Sequence, residues 1–190
     1  MALNDRREIT GVFGGDVIKA HAEGCAFVGE HALIPVDRPF DVVITTNSCY
    51  PLDQNLYQSV KGLSAAVRVV HPGGAIILVS ACADGLPAHG SYAELLRRSG
   101  SPQGALDLLA RPGFQAHDQW QVQVQAQVQL KADIYIHSDG LSDDEICLAL
   151  FTPLHDLPSS LEDLRKRYGP QTCILTDGPQ TIPTLIQVPR

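Results

Sequence analysis

Two segments set the hydrophobic pattern from which the rest of the chain is read. Phe40–Thr46 has the β-branched density of a buried strand. Behind it Leu56, Val60, Leu63, Val67 and Val70 fall at i, i+4, i+7, i+11 and i+14, the apolar stripe of a helix. The residues between them read as a strand-to-helix corner. Pro51 stops the strand, Asp53 is placed as an N-cap, and the helix is predicted to begin near Gln54. His71, Pro72, Gly73 and Gly74 form a stop signal, and Ala75–Ser80 is a second buried strand. The three elements make a βαβ unit, which is parallel and right-handed almost without exception, with its ligand crevice outside the carboxyl ends of the strands. Residues 47–53 and 81–90 both fall on that edge.

The flanking pattern is weaker but consistent. From Leu3 a polar run gives way to an apolar, strand-like piece and a turn at Gly14 and Gly15, an opening that reads as a chain joined in the middle. Asp16 can cap a helix through Val17, Ile18, Ala20, His21, Cys25 and Val28, after which Ala32–Val36 leads through Pro39 into the first strong strand. Ser91–Ser99 and Ser101–Ala110 read as two short helices, each opened by a serine.

Residues 118–131 carry conflicting signals. Strict alternation of Gln with Trp120, Val122, Val124, Ala126, Val128 and Leu130 is the period of a half-exposed strand. Against it, the run is long for a strand, Gln favours helices, Asp118 is placed as an N-cap, and the next strand, Asp133–His137, needs a helix before it to complete a crossover. The expectation is a helix with Trp120, Val124 and Val128 along one face. Helices at Asp144–Leu150 and Ser159–Tyr168 follow, the second opened by a Ser159/Glu162 capping box. The strand Thr172–Thr176 and a short extended piece at Thr181–Pro183 close the chain. Residues 1–190 are thus expected to form a single α/β domain with a Rossmann-like, mostly parallel sheet and helices on both faces.

The corner helix also carries the candidate chemistry. Measured from the apolar stripe, Tyr57 lies at about 100°, Lys61 at about 140° and Gln58 at about 200°, one flank off the core. An ammonium, an amide and a phenol near a helix N-terminus make a cradle for a carboxylate or phosphate. Spacing alone favours the plainer reading, with Lys61 and Gln58 solvated and Tyr57 a half-buried packing residue. Gln58, Gly62 and Ala65 form a second stripe of small or flexible residues, which implies close packing on the outer side as well. The loop 81–90 adds Asp84 and His89 at the same edge.

Composition removes several function classes. The 190 residues are 44% hydrophobic and 18% charged, the balance of a globular domain. A formal charge of −7 argues against a nucleic-acid surface, and Arg165, Lys166 and Arg167 fall at a helix end where cations complement the dipole. No apolar run approaches a membrane span and no signal peptide opens the chain, so a soluble, cytoplasmic protein is expected. Cys25, Cys49, Cys82, Cys147 and Cys173 are widely spaced and fit buried free thiols in a reducing compartment. The histidines show no metal-ligand spacing, and Gly11, Gly14 and Gly15 do not form a dinucleotide fingerprint, which argues against an NAD-dependent oxidoreductase.

Taken together, Pro51-Leu52-Asp53, Asn55-Leu56-Tyr57-Gln58, Lys61-Gly62, Pro72-Gly73-Gly74, Ala81-Cys82 with Asp84-Gly85, the Asp118-Gln119-Trp120 helix start, and Gly178, Thr181 and Pro183 resemble the C-terminal half of the nickel-dependent lactate racemase family. The Tyr-Gln-x-x-Lys helix start is the specific part, and the resemblance spans most of the chain. It implies a two-domain enzyme whose nickel-pincer nucleotide is anchored in an N-terminal domain by a lysine and a histidine. Hydride would leave the substrate Cα and return to its other face, while a histidine pair of that domain handles the hydroxyl proton.

On the family pattern Lys61 and Gln58 hold the carboxylate or oxygen of a small 2-hydroxy acid, with Lys61 as the catalytic residue opposing its changing charge. Tyr57 and Trp120 wall the pocket beside the cofactor. No cofactor or metal is expected on this chain alone, its partner would be the N-terminal domain of the same enzyme, and the isolated chain would be inactive. Asn47-Ser48-Cys49 stands where the pattern suggests a glycine pair. A stand-alone binding module for a small carboxylate or phosphate is the other reading that the residues allow.

Overall fold

The computed structural model describes residues 1–4, 6 and 8–186. In chain order the elements are β1 (Ala2–Leu3), β2 (Ile9–Gly11), α1 (Val17–Ala32), β3 (Leu33–Val36), β4 (Phe40–Thr46), α2 (Leu56–Val69), β5 (Val70–Val79), α3 (Tyr92–Ser99) and α4 (Pro102–Leu109). There follow α5 (Gln119–Gln129), β6 (Asp133–His137), α6 (Asp143–Leu148), β7 (Thr152–Pro153), α7 (Leu157–Tyr168), β8 (Thr172–Leu175), a 3-10 turn (Gly178–Gln180) and β9 (Ile182–Leu185). A parallel five-stranded sheet runs in the order β7-β6-β5-β4-β8. Beside it lie a parallel β3/β9 pair and an antiparallel β1/β2 pair.

Strand pleating distributes the core. Successive side chains leave a strand on opposite faces. Val43, Ile76, Leu78, Ile134 and Ile136 therefore join Leu56, Val60, Leu63 and the residues of α3, α4 and α5 in one cluster. Val42, Ile44, Ala75 and Ile77 turn the other way, onto Leu154, Leu157, Leu161 and Leu164 beside and within α7. The expected mostly parallel sheet with helices on both faces is what forms. Strand order also places the crevice, since connections from β4 run outward through β5, β6 and β7 and then return to β8 on the far side of β4. That reversal lies at the carboxyl end of β4, where open α/β sheets bind ligands.

Several local expectations are corrected. The cap of α2 is Asn55, whose Oδ1 accepts from the Gln58 N–H at 3.0 Å, so the helix begins at Leu56 and not at Gln54. Asp53 instead accepts from the Ala81 N–H at 3.1 Å, because the corner is drawn onto the neighbouring loop. The α2 helix ends before the His71–Gly74 signal, which lies inside β5 across a register shift opposite Phe40 and Val42. Asp156 caps α7 by accepting from the Ser159 N–H, and the capping box belongs to Ser142 and Glu145, so α6 spans 143–148. Asp16 does cap α1, and the two serine-opened helices, the strand at 133–137 and a final extended piece are present.

Residues 118–131 are mainly helical, but the buried face is not the one expected. Gln121, Val122, Gln125, Ala126 and Val128 face inward, while Trp120 remains 51% exposed and Val124 half-buried. Burying glutamine requires partners. Gln125 accepts from the Tyr92 hydroxyl and donates to the Ala149 carbonyl, and Gln121 donates to the Tyr57 carbonyl at 2.9 Å. Of the cysteines Cys82 is buried and Cys173 half-buried, whereas Cys25, Cys49 and Cys147 are exposed. No helix among the described residues is long and apolar enough to cross a membrane.

Candidate functional site

Backbone bonds between two loops build the site. Cys82 N–H donates to the Asp53 carbonyl, Asp84 N–H to the Gln54 carbonyl, and Leu56 N–H to the Gly85 carbonyl, at 3.0, 2.7 and 3.2 Å. The corner 47–55 and the loop 81–85 are therefore held together across the carboxyl ends of β4 and β5. Beneath them Ser59, Ser80 and Cys82 form a buried cluster, with 2.7 Å between the serine hydroxyl oxygens. Asp84 and His89 stay exposed, with the Asp84 backbone serving the loop contact.

The corner backbone is unusual where a glycine pair was anticipated. Ser48 and Cys49 have φ of 62° and 58°, the left-handed region that glycine favours, so the shape is kept with other side chains. The Asn47 amide nitrogen donates to the Leu52 carbonyl, closing the corner on itself. The buried oxygens Asn47 Oδ1, Ser48 Oγ and Asp53 Oδ1 have no protein partner. Strained conformations and unpaired buried polar atoms of this kind gather at functional sites.

The α2 helix presents the polar flank. Tyr57 and Gln58 are half-buried, Lys61 is exposed, and the Lys61 ammonium donates to the Gln58 side-chain oxygen Oε1. This leaves the Gln58 amide N–H groups and the remaining ammonium protons as donors. The anticipated close packing at Gly62 is real, since an added Cβ would lie 2.4 Å from the Thr46 carbonyl. Gly178 comes within the same contact, where a Cβ would meet Thr46 O at 2.5 Å and the Gly62 Cα at 3.1 Å. The α2 helix is thereby clamped between the end of β4 and the 3-10 turn.

Trp120 completes the arrangement. Its ring lies 6.0 Å from that of Tyr57 at 81°, and Tyr92 packs on Tyr57 at 5.4 Å and 90°. Burial raises the Tyr57 phenol above its ordinary range, and the neighbouring Asp118 carboxylate raises it further. Of the four residues singled out in the sequence, the tertiary fold brings Trp120 onto Tyr57, while Gln58 and Lys61 pair with each other along α2. The expected capping role of Asp118 is corrected: it makes no side-chain cap bond to α5, and its carboxylate instead accepts from the Ser91 N–H at 3.1 Å. Among the described residues no group of three or more His, Cys, Asp or Glu side chains is placed to hold a metal.

Comparison with known proteins decides the family. The sequence pattern of the lactate racemase C-terminal domain matches residues 36–182. The chain belongs to the lactate racemase C-terminal domain family. It is 34% identical over 164 residues to the lactate racemase of Thermoanaerobacterium thermosaccharolyticum, covering 85% of this chain and 38% of that protein. Against the lactate racemase of Lactiplantibacillus plantarum it is 35% identical over 174 residues, 89% of this chain and 39% of that protein. The fold matches the structure of the T. thermosaccharolyticum lactate racemase apoprotein with a TM-score of 0.83 at 31% identity, covering 95% of this chain and 44% of that one. The chain therefore spans about two-fifths of the length of these curated relatives.

Proposed function

We propose that this chain is the active-site-closing C-terminal domain of a lactate racemase-like enzyme that interconverts stereoisomers of a small 2-hydroxy acid. The observation that carries the reading is the convergence of Lys61, Gln58 and the Tyr57/Trp120 pair at the carboxyl edge of the sheet, in a chain of this family. The Lys61 ammonium and the Gln58 amide receive the substrate carboxylate or oxygen. Lys61 is the catalytic residue of this half, placing positive charge against an oxygen whose charge changes during reaction. Holding the substrate here also restricts its orientation, which removes part of the entropic barrier.

The family's nickel-pincer nucleotide, a pyridinium derivative, supplies a hydride acceptor for the substrate Cα when bound. Among the described residues no group of three His, Cys, Asp or Glu side chains is placed to hold the metal, but a half-exposed indole edge-on to a phenol offers surfaces that suit a flat cationic ring. Tyr57 and Trp120 would wall the cofactor and exclude water, while metal anchoring and hydroxyl proton transfer fall to the N-terminal domain. The apolar surface of α1 supports such a partner, with Val17 and Ile18 exposed at 78% and 77%. In this reading residues 1–190 act as one domain of the two.

The test is Lys61→Ala in the complete two-domain enzyme. Racemisation is expected to fall by about 10²–10³-fold, the scale of removing one preorganised charge donor. Near-normal turnover would remove Lys61 from the mechanism and with it the main support for the assignment.

A further inference from the structure

We propose that Gln121 is the positioning residue of this site, docking the first turn of α5 onto the first turn of α2 and so setting Trp120 against Tyr57. The proposal rests on the reading above that these two aromatic rings line the ligand cleft. Gln121 is 1% exposed, and its Nε2 donates to the Tyr57 carbonyl at 2.9 Å. The residue before it is Trp120, whose ring stands 6.0 Å from the Tyr57 ring at 81°. One hydrogen bond therefore joins the two backbone segments that carry the wall.

Chemistry fixes the orientation of the amide. A backbone carbonyl can only accept, so the nitrogen of Gln121 must face Tyr57 and the oxygen must face away. That Oε1 is buried and meets no hydrogen-bond donor among the described residues. A half-satisfied buried amide costs stability that an apolar side chain of the same length would not. Packing alone therefore does not account for glutamine at this position, whereas a donor aimed at one particular carbonyl does.

The two helices are registered at both ends. Past the far end of α5 the Lys131 ammonium donates to the Val67 carbonyl of α2. Each of these two bonds joins residues 64 apart in sequence, so α2 and α5 run in the same direction without slipping between them. The α5 helix opens without a side-chain cap, since the Asp118 carboxylate serves the Ser91 N–H. At the site end the register therefore depends on Gln121. The carbonyl it uses is the one that an α-helix offers to the N–H four residues on, that of Lys61. The bond thus falls on the turn that carries Tyr57, Gln58 and Lys61.

Trp120 is the single tryptophan of the chain, so its fluorescence reports this wall alone. Gln121→Met keeps the length while removing both the donor and the orphan oxygen. It is expected to red-shift Trp120 emission and raise its quenching by acrylamide, with the denaturant midpoint level or higher. Lys131→Met, which removes the far bond, should leave the emission where it is. In the complete two-domain enzyme Gln121→Met should lower kcat by up to about 100-fold, the scale of a 1 Å misplacement. KM should change little, because Lys61 and Gln58 still hold the carboxylate. Unchanged emission in a folded Gln121→Met chain, or an unchanged kcat, would overturn the proposal. So would an equal red shift in Lys131→Met, which assigns the effect to general loosening of the helices. If Gln121→Met does not fold, Gln121→Glu decides. At acid pH the protonated carboxyl can still donate to the Tyr57 carbonyl and should hold wild-type emission, and a red shift there overturns the proposal. The emission readouts need no ligand, so they stand or fall separately from the Lys61→Ala turnover that tests the racemase reading.

Discussion

The corner at residues 47–55 and the helix α1 are built in opposite ways. The corner is tightly folded around buried polar groups, with two non-glycine residues in the left-handed region and the buried oxygens of Asn47, Ser48 and Asp53 lacking protein partners. The α1 helix is regular and properly capped by Asp16, yet it leaves Val17 and Ile18 mostly in solvent. Strained backbone and unpaired polar atoms suit a small polar ligand, whereas exposed apolar side chains on a regular helix suit another protein surface. In the proposed two-domain enzyme the first region meets substrate and the second meets the N-terminal domain.

The largest effect that would sharpen this contrast is loss of the core beneath the corner. Leu63 is fully buried under the corner, and Leu63→Ala should destabilise the chain by about 2–5 kcal/mol in denaturant unfolding. A cost below 1 kcal/mol, well under the range for such truncations, would mean that α2 is not anchored as described. Gly62→Ala should cost about 1–3 kcal/mol, because the new methyl meets the Thr46 backbone carbonyl and must lift α2 from β4. A neutral outcome would show that the clamp against Gly178 has slack.

Alkaline pH should act next. Burial raises the Tyr92 and Tyr57 phenols above their ordinary value of 10.0, so the folded state disfavours their ionised forms. The sign follows from proton binding. Their contribution is fully present below the unfolded pKa and is lost as pH rises past it, so the thermal midpoint should fall above about pH 10. Replacing Tyr92 by Phe should flatten that fall, and an unchanged slope would exclude this tyrosine as its source.

The smallest stability effect is expected on α1. Val17→Ser combined with Ile18→Ser should leave the unfolding free energy of this chain within about 0.5 kcal/mol, since surface substitutions seldom do more. The same pair should weaken capture of the N-terminal domain supplied as a separate chain. A loss of several kcal/mol in the chain itself would make α1 part of the core and break the comparison.

Hydrophobic periodicity was enough to place β4, α2, β5 and the parallel sheet, because strand and helix periods are local properties that survive into any tertiary context. It also put Tyr57, Gln58 and Lys61 on one flank of α2, since angular position on a helix depends only on spacing. The resemblance carried by Tyr57-Gln58 and Lys61-Gly62 pointed to the family that residues 36–182 match. What local pattern could not decide was every feature set by a partner distant in sequence. Asp53 left its cap because the Ala81 N–H competed for it, and Asn55 took the role. Gln121 and Gln125 went inside because the Tyr57 carbonyl, the Tyr92 hydroxyl and the Ala149 carbonyl were there to pair with them, leaving Trp120 exposed. Asp118 makes no side-chain cap bond because Gly90 and Ser91, remote along the chain, meet its carboxylate. Propensity and period are written within a few residues, but the satisfaction of buried polar groups depends on which neighbours the completed fold supplies.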